Sequence, residues 1–277
     1  MRRILLILAA VLVLSVLVLP AEPWKWRTHG GVFGSRGIST VAYNELGGGE
    51  GLSANLDWDL IMEGSHMPDT WNQPPYYADS SHKMTYTKER GAYWLRRVEN
   101  AAVTAQTDPG AWDNVSFFMG IASHYWADTT CYPHHDNARL YYENKYGEDY
   151  GYTLWDAVHD HFEGQVYYYQ PEIPKLIVPD SGCYDLDTFL AAADDFFDNW
   201  IDNVMPPGNP MGGWLGQWIQ TRKCEDAGIQ AGLLPHSGTK ECVDLATTLI
   251  YSGWVYALGY QVATPTVTWG DLTRQYF

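Results

Sequence analysis

The sequence FFMGIASHYWADTTCYPH, residues 117–134, decides how the rest of the chain is interpreted. It places His124, Asp128 and His134 in the pattern H-x3-D-x5-H. Residues four positions apart lie on one face of an α-helix, so His124 and Asp128 are predicted to point the same way. We expect Pro133 to stop the helix and His134 to follow as the chain turns. Two imidazoles and a carboxylate presented in this way suit a divalent zinc ion.

A second pair of the same kind follows in LWDAVHDHFEGQV, residues 154–166. His159 and Glu163 are again four residues apart, so a helix would present both on one face. Two helices that each offer a histidine and a carboxylate can hold several metal ions between them. The sequence therefore predicts a metal cluster in a cleft between helices.

Helical spacing of apolar residues in the rest of the chain predicts an all-α fold, because no segment alternates as an amphipathic strand does. The predicted helices are residues 54–69, closed by Pro68; 88–105; the helix that carries His124, entered through the turn at Asp108-Pro109; 154–169; 185–204; and 242–262. In residues 88–105 the inward positions are predicted to be Tyr93, Leu95, Val98, Ala101, Ala102 and Ala105. In residues 185–204 they are predicted to be Leu186, Phe189, Leu190, Ala193, Phe197, Trp200 and Ile201, opposite a solvated acidic face.

Composition and charge limit the class of protein. The chain has 277 residues, of which 46% are apolar and 15% aromatic, so it can bury a sizeable core and is not a disordered segment. Its formal net charge of −16 argues against non-specific binding to nucleic acid or anionic membranes, which needs clustered Lys and Arg. We expect a monomer that makes at most transient contact with a membrane surface.

The N-terminal segment has the pattern of an export signal. Two arginines precede an apolar run at residues 4–19, and a small residue, Ala21, follows Pro20. We therefore expect residues 1–21 to be a signal peptide and the protein to be secreted, the alternative being an uncleaved anchor at residues 4–19. In an exported chain the four cysteines allow two disulfides, with Cys224–Cys242 the preferred pair and free buried thiols the alternative.

The metal-ligand pattern as a whole is similar to that of a known family. In chain order the candidate ligands are Trp24, His29, Asp69, His82, His124, Asp128, His134, His159 and Glu163. This set resembles the bacterial zinc-dependent phospholipase C family, whose fold and ligand order are shared with the fungal single-strand-specific nucleases. The resemblance covers roughly residues 24–169 and implies one zinc-dependent phospholipase C-like domain over residues 22–277.

The resemblance implies up to three zinc ions. The first would be held by Asp69, His82, His124 and Asp128. The second would be held by His134, His159 and Glu163. The third would be held by His29, by the α-amino group and carbonyl of Trp24 at a processed N-terminus, and by Asp128 as a bridging carboxylate. Asp69 would also accept a proton from the attacking water.

The implied activity is hydrolysis of a phospholipid to diacylglycerol and a phosphorylated headgroup. Closely spaced zinc ions suit a phosphodiester because they neutralise its charge and lower the pKa of water. The sequence departs from the phospholipases at Thr70 and Asp79, where that family carries aromatics that help to hold a choline headgroup. The short spacing from Trp24 to His29 is similar to the nucleases, whereas Glu163 matches the phospholipases. A single-strand nuclease or nucleotidase, and a non-catalytic zinc-binding module, are the alternatives.

Overall fold

The structure is a computed structural model of the 277-residue chain. It describes residues 37–70, 84–131, 136–153, 155–156, 171–178, 185–204, 237–259 and 266–276, together with His29, His134 and His159.

Helices make up most of the described chain, so the predicted all-α class is confirmed. The described helices include α1 (Ile38–Glu45), α2 (Trp58–Thr70), α3 (Met84–Ala105), α4 (Ala111–Thr130), α5 (Asp136–Tyr146), α6 (Leu186–Val204), α7 (Ser237–Leu258) and α8 (Trp269–Tyr276). A 3-10 turn covers Gly51–Ser53. Two strands that were not predicted, β1 (Leu176–Val178) and β2 (Thr266–Thr268), pair in parallel, with Ile177 opposite Val267. Three residues are too few to show strand alternation in a sequence.

Helix α4 is the centre of the fold. Helices α2 and α3 pack along it, and α1 and α7 also contact it. Every residue from Met119 to Thr130 is buried, so its polar groups need partners inside the protein. Three other helices supply such partners. Ser123 bonds to the Ser39 hydroxyl at 2.8 Å, and Thr129 donates to the Thr87 hydroxyl at 2.9 Å. Trp254 Nε1 donates to the Met119 carbonyl at 3.1 Å.

Glycines allow α2 and α4 to approach unusually closely. A Cβ added to Gly64 of α2 would lie 2.2 Å from the Phe117 carbonyl oxygen, and one added to Gly120 of α4 would lie 2.1 Å from the Ile61 carbonyl oxygen. Both obstacles are backbone atoms, which cannot move aside as a flexible side chain can. The two helix backbones are therefore in contact where they cross, and this contact fixes the distance between the side chains that follow on each helix.

Helix boundaries differ from the prediction at the start and end of α2 and at the end of α4. Helix α2 begins at Trp58 rather than at residue 54, because the Asp57 carboxylate accepts the Asp59 amide at 2.8 Å and caps the helix. Pro68 does not end α2 but lies inside its last turn, where a missing amide removes only one helical hydrogen bond. Helix α4 ends at Thr130, before Pro133, because Cys131 is already extended.

The predicted helix faces are largely correct. All seven residues expected to face inward from α6 are buried, and Asp194 and Asp198 on the opposite face are exposed, with Lys88 of α3 ion-paired to both. In α3 the prediction is wrong for Tyr93, which is 45% exposed, while its neighbour Trp94 is buried. The Tyr93 hydroxyl accepts a hydrogen bond from Arg97 at 3.2 Å, so the ring lies along the surface of the helix.

Several predictions concern residues outside the described chain. They are the signal or anchor segment, the ligands Trp24, His82 and Glu163, and Cys224, the preferred partner of the buried Cys242. Among the helices that are described, none combines the length and the apolar character needed to span a bilayer.

Candidate metal site

Helices α2 and α4 bring together the three side chains at the heart of the site. Asp69 lies in the last turn of α2, and His124 and Asp128 lie one turn apart on α4. His124 Nε2 is 3.3 Å from Asp128 Oδ2 and 3.6 Å from Asp69 Oδ1. The predicted common face of His124 and Asp128 is therefore observed, and the α2–α4 crossing adds Asp69 to it.

A backbone carbonyl orients the His124 ring. The Ser65 carbonyl oxygen of α2 lies 2.8 Å from His124 Nδ1. Because a carbonyl can only accept, Nδ1 carries the proton, and Nε2 is the nitrogen that is available to a metal when the ring is neutral. Metal-binding histidines are commonly held in this way.

His29 approaches the same carboxylate from another part of the chain. Its Nε2 is 3.6 Å from Asp128 Oδ1, and its ring stacks on that of His124 with centroids 4.2 Å apart. The two oxygens of Asp128 thus face different imidazoles, Oδ1 towards His29 and Oδ2 towards His124. One carboxylate facing two imidazoles is the arrangement required to bridge two metal ions.

The donor set fits zinc. Ligand atoms of His29, His124 and Asp128 lie within 4.8 Å of one another, and all three residues are buried. The His124–Asp128, His124–Asp69 and His29–Asp128 separations of 3.3, 3.6 and 3.6 Å exceed an ordinary hydrogen bond. Two ligands of one tetrahedral zinc, each about 2.0–2.1 Å from the ion, are about 3.3 Å apart. Histidine nitrogen and carboxylate oxygen are both normal zinc ligands.

The electrostatics of the cluster attract positive charge. Complete burial by itself lowers the pKa of His124, but the carboxylates of Asp128 and Asp69 outweigh it and raise the pKa to about 9. The surroundings that hold a proton on this ring also favour a divalent cation beside it. Because zinc binds the neutral imidazole, metal binding at this ring releases a proton.

His134 and His159 continue the site away from α4. His134 Nδ1 is 3.9 Å from Asp128 Oδ2, and His134 Nε2 is 2.7 Å from His159 Nε2. A separation of 2.7 Å is that of a hydrogen bond between one protonated and one unprotonated nitrogen. If both Nε2 atoms bound one zinc ion, the separation would widen to about 3.3 Å.

Six of the nine predicted ligands lie in the described chain, and the structure brings all six into one connected group. They are His29, Asp69, His124, Asp128, His134 and His159. Trp24, His82 and Glu163 lie outside the described residues and stay predictions.

Two supporting contacts lie outside the predicted ligand set. One is the Ser65 carbonyl, which no side-chain pattern can reveal. The other is Trp155, whose ring stacks on His159 with centroids 5.2 Å apart and planes 6° apart. Trp155 precedes His159 by four residues, so its helical spacing was a usable signal.

Comparison with known families gives one match. Residues 38–172, just under half of the chain, match the model of the family described as zinc dependent phospholipase C. The resemblance inferred from the motif is confirmed over this segment, which includes α1 to α5 and His159. No curated protein and no solved structure matches the chain.

Proposed function

We propose that the protein hydrolyses phospholipids to diacylglycerol and a phosphorylated headgroup, because residues 38–172 match the model of the zinc-dependent phospholipase C family. The observation that carries the proposal is the buried group of His29, His124 and Asp128 within reach of one another, with Asp69 beside it. A core helix gains nothing in stability from these polar groups alone, since burying them costs free energy unless they are paired or bind metal.

The family resemblance implies how the residues gathered here would share the zinc ions. Asp69, His124 and Asp128 would hold one ion, His29 and Asp128 another, and His134 and His159 a third. Zinc bound there would neutralise the phosphate charge and lower the pKa of a water molecule. The Ser65 carbonyl keeps His124 Nε2 directed into the group, and the Trp155 ring restricts rotation of His159.

Asp69 is the proposed proton acceptor. Its side chain is 14% exposed, whereas those of His124 and Asp128 are completely buried. A general base must be within reach of water and substrate, and among these three residues only Asp69 meets that condition. Its place in the last turn of α2 puts it at the edge of the group rather than in the core.

We further propose that residues 1–21 direct export and are removed. A protein that acts on phospholipids outside the cell needs such a signal, and the basic, apolar and small-residue order of the N-terminus supports this role. Mass spectrometry of the protein purified from the medium would identify its first residue. Cleavage after Ala21 leaves Glu22 and Pro23 ahead of Trp24. Further trimming to Trp24 would place its α-amino group where the family resemblance implies a zinc ligand.

The first test is hydrolysis by the purified protein of phosphatidylcholine vesicles and of single-stranded DNA, each with zinc and with a chelator. We expect chelator-sensitive release of diacylglycerol and intact DNA. Asp69→Asn should abolish lipid hydrolysis, while Asp59→Asn, an exposed aspartate in the first turn of the same helix, should leave it unchanged. Cleavage of DNA without lipid turnover would support the nuclease alternative, and bound zinc with neither reaction would support a non-catalytic module.

A further inference from the structure

Helix α5 and the helical residues 148–153 form one rigid unit next to the metal site. Gly147 has a φ of 87°, which a side chain would strain, and lets the chain turn at the end of α5. A Cβ on Gly151 would lie 2.4 Å from the Glu143 Cα and from the Tyr142 carbonyl oxygen. The two segments are therefore in backbone contact.

This pair of segments exposes four apolar or aromatic side chains. They are Leu140, Tyr146, Tyr150 and Tyr152, with Leu140 at 49% and Tyr150 at 62%; we call them the tyrosine surface. The Tyr146 ring contacts those of Tyr142 and Tyr150, with centroids 6.3 and 6.2 Å apart. Exposed apolar groups concentrated in one place mark interaction sites more often than scattered ones do.

Ring contacts connect the tyrosine surface to the metal site. Tyr152 lies 5.6 Å from Trp155, Trp155 stacks on His159 at 5.2 Å, and His159 lies 4.7 Å from His134, all between ring centroids. A partner bound to the tyrosine surface would therefore lie beside the candidate site. A protein that hydrolyses membrane lipids needs the membrane at this position, next to the candidate metal site.

The charge of this region indicates which kind of partner fits. Residues 136–156 contain five acidic and two basic side chains, and one of the basic ones, Arg139, is ion-paired with Glu143 and lies over the Tyr152 ring. Nucleic acid and anionic bilayers both require a surplus of Lys and Arg. Tyrosine instead favours the headgroup layer of a bilayer, where its ring is buried and its hydroxyl stays hydrated.

We propose that the tyrosine surface docks on zwitterionic phospholipid bilayers and presents lipid headgroups to the metal site. This inference rests on the proposed phospholipase function and adds the surface by which the substrate is reached. Docking driven by apolar and aromatic side chains, rather than by basic ones, should depend little on salt concentration.

The test compares Leu140→Ser/Tyr150→Ser with a matched control, Tyr93→Ser/Val103→Ser. The control removes one exposed tyrosine and one exposed aliphatic residue, 45% and 62% exposed, from α3 instead. The full chain, purified as the expressing cell processes it, is floated with phosphatidylcholine vesicles. It is also assayed on those vesicles and on short-chain phosphatidylcholine below its critical micelle concentration.

We expect Leu140→Ser/Tyr150→Ser to lower vesicle affinity and hydrolysis of dilute vesicles by about tenfold, because the lost side chains bury less apolar area in the bilayer. Hydrolysis of the monomeric lipid should be unchanged, and the control should behave as wild type. Three results for the double variant would each overturn the docking surface. The first is unchanged vesicle binding, and the second is an equal loss of hydrolysis on monomeric lipid. The third is a loss of single-stranded DNA binding without a loss of vesicle binding. If wild type hydrolyses neither lipid form, the proposed activity fails, and flotation still decides whether the surface docks.

Discussion

Asp128 is the residue on which the candidate site depends most. Its side chain is completely buried, and its two oxygens face His29 and His124, at 3.6 and 3.3 Å. Removing one partner of a buried charged group costs more than removing an exposed one, because the remaining groups stay desolvated. The charge of Asp128 is therefore shared by both imidazoles.

Asp128→Asn should therefore remove zinc from two positions at once. We expect a loss of lipid hydrolysis greater than the roughly 10–100-fold caused by removing a residue that only orients a ligand. Elemental analysis of zinc per chain and the vesicle assay would measure the two effects. Asp113→Asn is the matched control, since Asp113 is an exposed aspartate in the first turn of the same helix. Full zinc content with full activity in Asp128→Asn would exclude a bridging role.

Part of the site can be predicted from the sequence alone. His124 and Asp128 were predicted together because a four-residue spacing on a helix determines their common face. His29 and Asp69 could be proposed only through the family resemblance, since their approach to Asp128 depends on tertiary packing that no local spacing encodes. The hydrogen bond from His124 to the Ser65 carbonyl was not predictable, because every residue has a carbonyl and only the fold selects one.

At the scale of helices, the α2–α4 crossing sets the geometry of the site. Gly64 and Gly120 let the two backbones touch, and Asp69 follows Gly64 by five residues while His124 follows Gly120 by four. Any widening of the crossing would move the Asp69 carboxylate away from His124 Nε2. Precise placement of metal ligands requires such rigid support.

Gly120→Ala should destabilise the protein although alanine is the better helix former. The new Cβ would lie 2.1 Å from the Ile61 carbonyl oxygen, and such overpacking costs about 1–3 kcal/mol, more than the gain of up to about 1 kcal/mol in helix propensity. Urea unfolding would give the change in the free energy of unfolding, and zinc content should fall with it.

Gly110→Ala is the control for that substitution. Gly110 is the N-cap of α4, and its added Cβ would meet only the Asp108 carboxylate, at 3.4 Å. We expect a change below about 1 kcal/mol, because Gly110 has αR backbone angles that alanine also adopts. Equal stabilities of Gly120→Ala and wild type would mean that the helices separate without cost and that the crossing does not hold the site together.

Helix faces were easier to predict than helix ends. The apolar positions of α6 repeat at helical intervals, and burial of one face follows directly from that repeat. The end of α2 was placed at Pro68 because proline usually stops a helix, but a proline in the last turn removes a single hydrogen bond that tertiary packing can offset. Tyr93 was misplaced because a tyrosine can lie along a surface with its hydroxyl bonded to Arg97.

Metal binding by the candidate site would be coupled to folding of the chain as a whole. The candidate ligands come from α2, α4 and the separate residues His29, His134 and His159, so a metal ion would join parts of the chain far apart in sequence. A ligand that binds only the folded state stabilises it, by about 4 kcal/mol at a thousandfold excess over Kd. Bound zinc would also offset part of the net charge of −16.

Removing zinc should consequently lower the melting temperature. We expect a fall in Tm of roughly 10 °C for wild type, from the stabilisation above and the heat-unfolding behaviour of domains of this size. Circular dichroism with a chelator, and again after zinc is restored, would measure it. Asp128→Asn should show a smaller fall because it begins with less metal. An identical Tm with and without zinc in wild type would show that zinc binding does not stabilise the folded protein.

The complete burial of α4 from Met119 to Thr130 has a consequence for anyone who wishes to redesign this protein. Substitutions in that stretch alter the core and the metal ligands simultaneously, so a screen for altered substrate choice would mostly recover misfolded variants there. Asp69, whose side chain is 14% exposed, lies at a rim of the candidate site that meets solvent. Diversity introduced around that rim, with α4 held constant, would vary recognition while keeping the chemistry and the scaffold the same.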